Sequence, residues 1–313
     1  MIVPVRPAEE SDQVTVGGSG RATAGLPGPA LEVLHERTEG WAAGLRLAAL
    51  SLAGHPDPAR FAAEFSGSER TVAEYLLAEV LDRQTEQVRR LLLRTSVLER
   101  VNGELAGLLT GDEGGERVLL ELEEASAFVV SLDAARTWFR YHQLFADLLQ
   151  LELRRTAPGE VTGLHTTAAG WLAGHGLPVE AIRQAQAARD WDLAARLLTS
   201  HWPSLHLDGQ AVAVHELLAR FPAGAGAEVA ELAPLFAADE LARGSLEAAE
   251  RYLGLAERRP ASVQADWRGQ VLIGVVRLQL ARQRGNPQAV LEEAQRLRSA
   301  AEADQPDGTG NRP

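Results

Sequence analysis

Apolar positions recur with a helical period along most of this chain, from Pro29 almost to Glu302. The first block, residues 29–53, is interrupted by Gly40 and Gly44 and stopped by Gly54-His55-Pro56. Ser66 and Ser68 offer N-caps to a helix over about 69–83, with Val72, Leu76, Leu77, Val80 and Leu81 as its buried stripe. Thr85 and Asn102 cap the next two helices, and Gly114-Gly115 opens another that reaches Ala125. FVVSL at 128–132 and WFRYH at 138–142 carry the β signal; the intervening DAART can turn, so a short hairpin is predicted. Leu144 to Arg155 is helical again, and Pro158-Gly159 ends the unit. Helices, a two-stranded hairpin and a closing helix together predict a winged-helix domain over 66–157.

Beyond Glu160 the pattern becomes antiparallel helix pairs. Val161, Leu164, Ala168, Trp171 and Leu172 share a face before Gly174-His175-Gly176 breaks it, and Pro178 stands at a first helical position. A loose repeat follows at 188–198 (ARDWDLAARLL), 242–253 (ARGSLEAAERYL) and 282–294 (RQRGNPQAVLEEA). Each has an arginine, a turn residue, then a helix whose alanines allow close packing. The intervals, about 54 and then about 41 residues, are looser than the ~34 of a tetratricopeptide repeat. The predicted fold class is mainly α, a winged helix with one short β-hairpin followed by a tetratricopeptide-like array over 160–302. Residues 1–28 and 303–313 are rich in Gly, Pro and polar residues and read as a disordered leader and tail.

Composition narrows the chemistry. With 313 residues and 45% apolar residues the chain has material for more than one core. It has neither cysteine nor lysine, so thiolate zinc sites, thiol nucleophiles, Schiff-base chemistry and a P-loop lysine are all excluded. VTVGGSGRATAG at 14–25 superficially resembles a phosphate loop, but Gly20 is followed by Arg21 and Ala22. His35-Glu36 and His215-Glu216 begin like zincin motifs, yet Glu39 and Ala219 stand where the second histidine belongs. His201 and His206, around a break at Pro203, form no ligand set. The carboxylate clusters Glu121/Glu123/Glu124 and Glu292/Glu293 read as solvated helix faces, and Ser19 lacks the final glycine of a nucleophile elbow. No catalytic residue, metal site or bound cofactor is therefore expected, and the chain is read as non-enzymic. A net charge of −12 opposes binding to nucleic acid or anionic lipid, and no apolar run is long enough for a transmembrane span. A cytoplasmic location is expected. Trp171, Trp191 and Trp202 lie on helix faces or ends, where they either anchor packing or stack on a ligand or partner.

Four segments in this order, TEGWAAGLRLAALSL (38–52), LLRTSVLERVNGELAGLLTG (92–111), FVVSLDAARTWFRYHQLFADLLQLELRR (128–155) and HGLPVEAIRQAQAARDWDLAARLL (175–198), resemble the large LuxR-type regulators of the maltose-activator class, which are STAND ATPases. The resemblance implies a nucleotide-binding ATPase, a winged helix, a superhelical sensor and a C-terminal helix-turn-helix. Inducer binding, exchange of ADP for ATP with Mg, self-association and promoter binding follow one another in such proteins. It assigns 29–65 to a remnant of the ATPase lid, 66–157 to the winged helix and 160–302 to the start of the sensor. That sensor would receive a small-molecule or protein inducer, and DNA would be bound only through a domain this sequence lacks. The resemblance also implies that His142, in YHQLF, reaches the ADP phosphates; its other reading is a cap on the following helix. No Walker segment precedes residue 38 and no helix-turn-helix follows the repeats. An internal piece of such a regulator is therefore expected, whether from a truncated gene, a mis-called start or a stand-alone product. The alternative is a free-standing helical-repeat adaptor for a protein or peptide. The inducer, target genes and oligomeric state are not encoded in any motif.

Overall fold

A computed structural model describes residues 28–38, 60, 80–125, 128–229, 231–258 and 267–303. The expected caps Ser66 and Ser68, the breaks at Gly40, Gly44 and Gly54, the upper stripe Val72–Leu77, most of the leader and the tail beyond Ala303 lie outside the described residues. The chain divides into two compact units, Met1–Ala168 and Ala169–Pro313.

In the first unit, α1 (Gly28–Thr38) packs on α5 (Gln143–Thr156). Between them in sequence come α2 (Glu86–Thr95), α3 (Gly103–Thr110), α4 (Gly115–Ala125), β1 (Val129–Ser131) and β2 (Phe139–Tyr141). The caps are as expected: Thr85 Oγ1 accepts from Val88 N, and Asn102 Oδ1 accepts from Leu105 N at 2.9 Å. The strands pair antiparallel with Val130 opposite Arg140. Val101, between α2 and α3, adds a bridge to Phe139, with both backbone bonds at 2.8 Å. The hairpin turns on Asp133, whose carboxylate accepts from Thr137 N, Thr137 Oγ1 and Trp138 N, while Arg136 takes a left-handed φ of 54°. The core is assembled from Leu92, Leu105, Leu119, Phe139, Phe145, Leu148 and Leu149, all fully buried. This is the winged-helix arrangement.

The second unit is helical throughout its described residues. α6 (Val161–Gly174) contains the division between the units. It is followed by α7 (Pro178–Ala187), α8 (Trp191–Leu207), α9 (Ala211–Ala219), α10 (Ala225–Glu228), α11 (Ala233–Ala242), α12 (Leu246–Glu257), α13 (Trp267–Gln283) and α14 (Pro287–Ala303). Helices α7 and α8, α11 and α12, and α13 and α14 pack as neighbouring pairs. One turn recurs five times. A left-handed residue, in order Gly176, Arg189, Gly209, Gly244 and Gly285, ends a helix. The N–H of the next residue then bonds the carbonyl five positions back, as in Asp190 to Ala185 (3.0 Å), Ser245 to Glu240 (2.8 Å) and Asn286 to Ala281 (3.0 Å). These are Schellman closures, and they satisfy helix-end carbonyls while reversing the chain. The loose sequence repeat at 188, 242 and 282 is three of these turns. In the first two repeats the alanines do what the spacing suggested, with Ala194, Ala195, Ala248 and Ala249 buried, while Ala289 and Ala294 of the third are half-buried.

One expectation is corrected. Pro203 does not break the chain, because α8 runs unbroken from Trp191 to Leu207. A proline inside a helix forfeits a backbone bond. Here burial of Trp202 and Leu205, one on each side of it, holds the segment helical.

Candidate functional site

In the second unit, α8, α9, α11 and α13 enclose a cavity of about 240 Å³. Trp202 and His206 come from α8, Ala211 and Val214 from α9, Ala238, Asp239 and Ala242 from α11, and Gln279, Arg282 and Gln283 from α13. Trp202 is buried, and its ring stacks on the His206 imidazole at 4.8 Å and 14°. The spacing i, i+4 on one helix places both rings on one face. Gln279 Nε2 lies 3.3 Å from His206 Nε2, and Gln283 Nε2 donates to the Leu241 carbonyl. Asp239 is 9% exposed, and His215 Nδ1 sits 2.9 Å from its Oδ2. The wall thus offers an aromatic face, a carboxylate held from behind by an imidazole, a guanidinium and two amides. It contributes no hydroxyl or thiol nucleophile. Such a wall suits recognition of a small polar molecule.

The three tryptophans named from sequence separate here. Trp202 lines the cavity. Trp171 stacks on His175, just past the end of its helix, at 3.7 Å, and the His175 ring nitrogen contacts the Trp171 carbonyl at 2.7 Å. Trp191 packs against Phe221 at 5.7 Å on the edge of the core. The sequence reading did not single out Asp239, Gln279, Arg282 and Gln283. The acidic pair Asp239-Glu240 inside the otherwise apolar run APLFAADELA was the available signal for Asp239.

In the first unit, His142 sits at the strand-to-helix junction, as the sequence indicated. Its N–H donates to Phe128 O at 2.9 Å, and its carbonyl accepts from Phe145 N and Ala146 N. The side chain makes no capping bond to α5, so the helix-cap reading of the imidazole is not realised. Helix α4 stands where a helix-turn-helix presents its reading helix, after α3 and the turn through Gly111 and Gly114. Its sequence, GERVLLELEEA, carries four glutamates and one arginine, and Arg117 is paired with Glu121 at 2.8 Å. Arg136 of the hairpin is likewise committed to Glu123 and Glu124. Phosphate would be repelled from that surface.

Among the described residues no group of three or more His, Asp or Glu is placed to hold a metal ion. No helix of the described residues is long and apolar enough to cross a membrane.

Residues 77–161 match the MalT winged helix domain family. The chain is 34% identical over 252 residues to the serine/threonine-protein kinase PknK of Mycobacterium tuberculosis (strain ATCC 25618 / H37Rv), covering 78% of this chain and 23% of the kinase. It is 33% identical over 273 residues to the HTH-type transcriptional regulator MalT of Serratia proteamaculans, covering 86% of this chain and 30% of that regulator. MalT of Yersinia pestis is 34% identical over 278 residues, with the same coverages of 86% and 30%. The chain therefore spans less than a third of the length of these curated relatives.

Proposed function

We propose that this chain, a relative of the HTH-type regulators of the maltose-activator class, does the signal-receiving and interdomain-coupling work of a LuxR-type, ATP-dependent transcriptional regulator. One observation carries the reading. Relatives named for two different outputs, a protein kinase and an HTH-type regulator, share most of this same stretch. A stretch common to both suits the input and coupling that each output needs, not the output itself.

On this reading the paired helices form a tetratricopeptide-like sensor for a small-molecule or protein inducer. The winged helix couples that sensor to a STAND-type ATPase that carries ATP or ADP with Mg, and His142 reaches toward the nucleotide phosphates. The segment 29–65 belongs to the ATPase lid, self-association follows activation, and DNA is held by a separate helix-turn-helix. The chain works in the cytoplasm and catalyses nothing on its own. The acidity of α4 supports a coupling role for the winged helix over DNA reading.

The test is binding of the purified chain to duplex DNA in low salt, where phosphate contacts are strongest. Anisotropy of labelled promoter fragments is expected to stay flat. Submicromolar duplex binding would sink the coupling role of the winged helix. A free-standing adaptor remains the second reading, favoured by Leu207 and Val212, which flank the Gly209 turn at 84% and 73% exposure.

A further inference from the structure

The cavity of the second unit holds two formally charged side chains that do not close on each other. Asp239 projects from α11 and Arg282 from α13, and no ion pair joins them. Among the described residues Arg282 has no carboxylate within ion-pairing distance. Asp239 is largely buried in the wall while Arg282 stands exposed at its rim, so a ligand lying between them can pair with both. The remaining groups sharpen this. His215 approaches the carboxylate of Asp239 through Nδ1, at 2.9 and 3.2 Å from its two oxygens, and leaves lone pairs on both. Trp202 supplies a buried aromatic surface, to which a cation is attracted and on which an apolar group packs. Gln279 and Gln283 add amide donors and acceptors beside Arg282.

Size limits the ligand. The volume of about 240 Å³ equals the liquid volume of roughly eight waters at ~30 Å³ each. That suits a ligand group of on the order of ten non-hydrogen atoms.

We propose that this cavity binds a free α-amino acid as a zwitterion, its ammonium on Asp239 and Trp202 and its carboxylate on Arg282. The proposal rests on reading the paired helices as the signal-receiving part and names the class of signal they receive. A guanidinium matches a carboxylate in a two-pronged geometry, and an ammonium satisfies an aspartate, so a molecule carrying both groups is preferred over one carrying either.

Calorimetric titration of the whole chain with each standard amino acid, to about 10 mM, tests this. At least one is expected to bind. Its N-acetyl and its carboxamide forms should each bind at least tenfold more weakly, about 1.4 kcal/mol. Asp239→Asn should reproduce the loss seen on N-acetylation, and Arg282→Gln, an exposed position, the loss seen on amidation. Circular dichroism confirms that both variants remain folded. If no amino acid binds, or if the blocked forms bind as well as the free one, the proposal is overturned. Failure of the regulator reading would show in the duplex-binding experiment and leave this calorimetry untouched.

Discussion

The Tyr141 hydroxyl lies 2.6 Å from Thr95 Oγ1, both buried, and joins the second strand of the hairpin to the end of α2. Thr95 Oγ1 also lies 2.7 Å from the Leu91 carbonyl and must spend its own proton there. Tyr141 is therefore the donor. Burial pushes the Tyr141 phenol well above its ordinary range, so the donor keeps its proton at any physiological pH.

Direction predicts an asymmetry between two substitutions. Tyr141→Phe removes a donor and leaves the Thr95 hydroxyl still bonded to Leu91, at about 1 kcal/mol. Thr95→Val leaves the phenol buried without an acceptor and should lower stability by about 2–3 kcal/mol. Urea denaturation of both variants checks this, and equal losses would mean that the donor has been assigned wrongly.

Glu152 is 3% exposed, with Arg155 on both carboxylate oxygens at 2.8 Å and Arg89 at 3.2 Å. Hydrogen bonds from Arg155, then the charges of Arg155 and Arg89, hold its carboxyl below the ordinary range against the effect of burial. A depressed folded pKa gives stability that is fully present above the unfolded value of ~4.3 and is lost as pH falls through the folded value. Glu152→Gln should be less stable than the parent at pH 7 by about 1–2 kcal/mol, since Arg155 is largely exposed and its share is screened. The gap should narrow as pH falls from about 5 toward 3. Thermal melts across that range measure it, and a gap that does not change with pH would refute the linkage.

The first turns of α3 and α4 meet at two glycines. A Cβ on Gly115 would stand 2.7 Å from Ala106 Cβ and 3.0 Å from the Gly103 carbonyl. Gly115→Ala should destabilise by about 1–3 kcal/mol through overpacking. Gly111, at φ +75° with open space around it, separates steric from backbone effects. Gly111→Ala should lose about 1 kcal/mol from the left-handed backbone alone.

Arg189 occupies a left-handed position that glycine fills in the four sister turns. Arg189→Gly should raise stability by about 0.5–1 kcal/mol, the relief of the Cβ clash less the added freedom of the unfolded chain. A lower melting temperature would show instead that the arginine side chain contributes to the fold.

His142→Ala, made in a regulator of this class that carries this segment with its ATPase, should speed ADP release. Unchanged ADP retention would remove the phosphate-contact role.

Much of this protein was legible along the chain because the signals are local. Thr85, Asn102 and Pro178 mark helix starts by chemistry confined to one turn, and FVVSL and WFRYH paired as their β-formers indicated. The arginine-turn-helix repeat was visible for the same reason, since a Schellman closure needs only a left-handed residue and its neighbours. The resemblance to maltose-activator regulators also lay in contiguous segments.

What the sequence by itself determined, then, was element type, order and the faces to be buried, because periodicity reports that a face is apolar. Which helix that face meets was decided by the tertiary structure. Pro203 is the plainest case: local preference argued for a break, and burial of Trp202 and Leu205 in the second unit's core overrode it. The cavity is the other. Trp202, Asp239 and Arg282 come from three helices far apart in sequence, and nothing local marks them as neighbours. Only the packing of α8, α11 and α13 brings a buried ring, a carboxylate and a guanidinium around one space, because side-chain chemistry at a distance is set by contact and not by spacing.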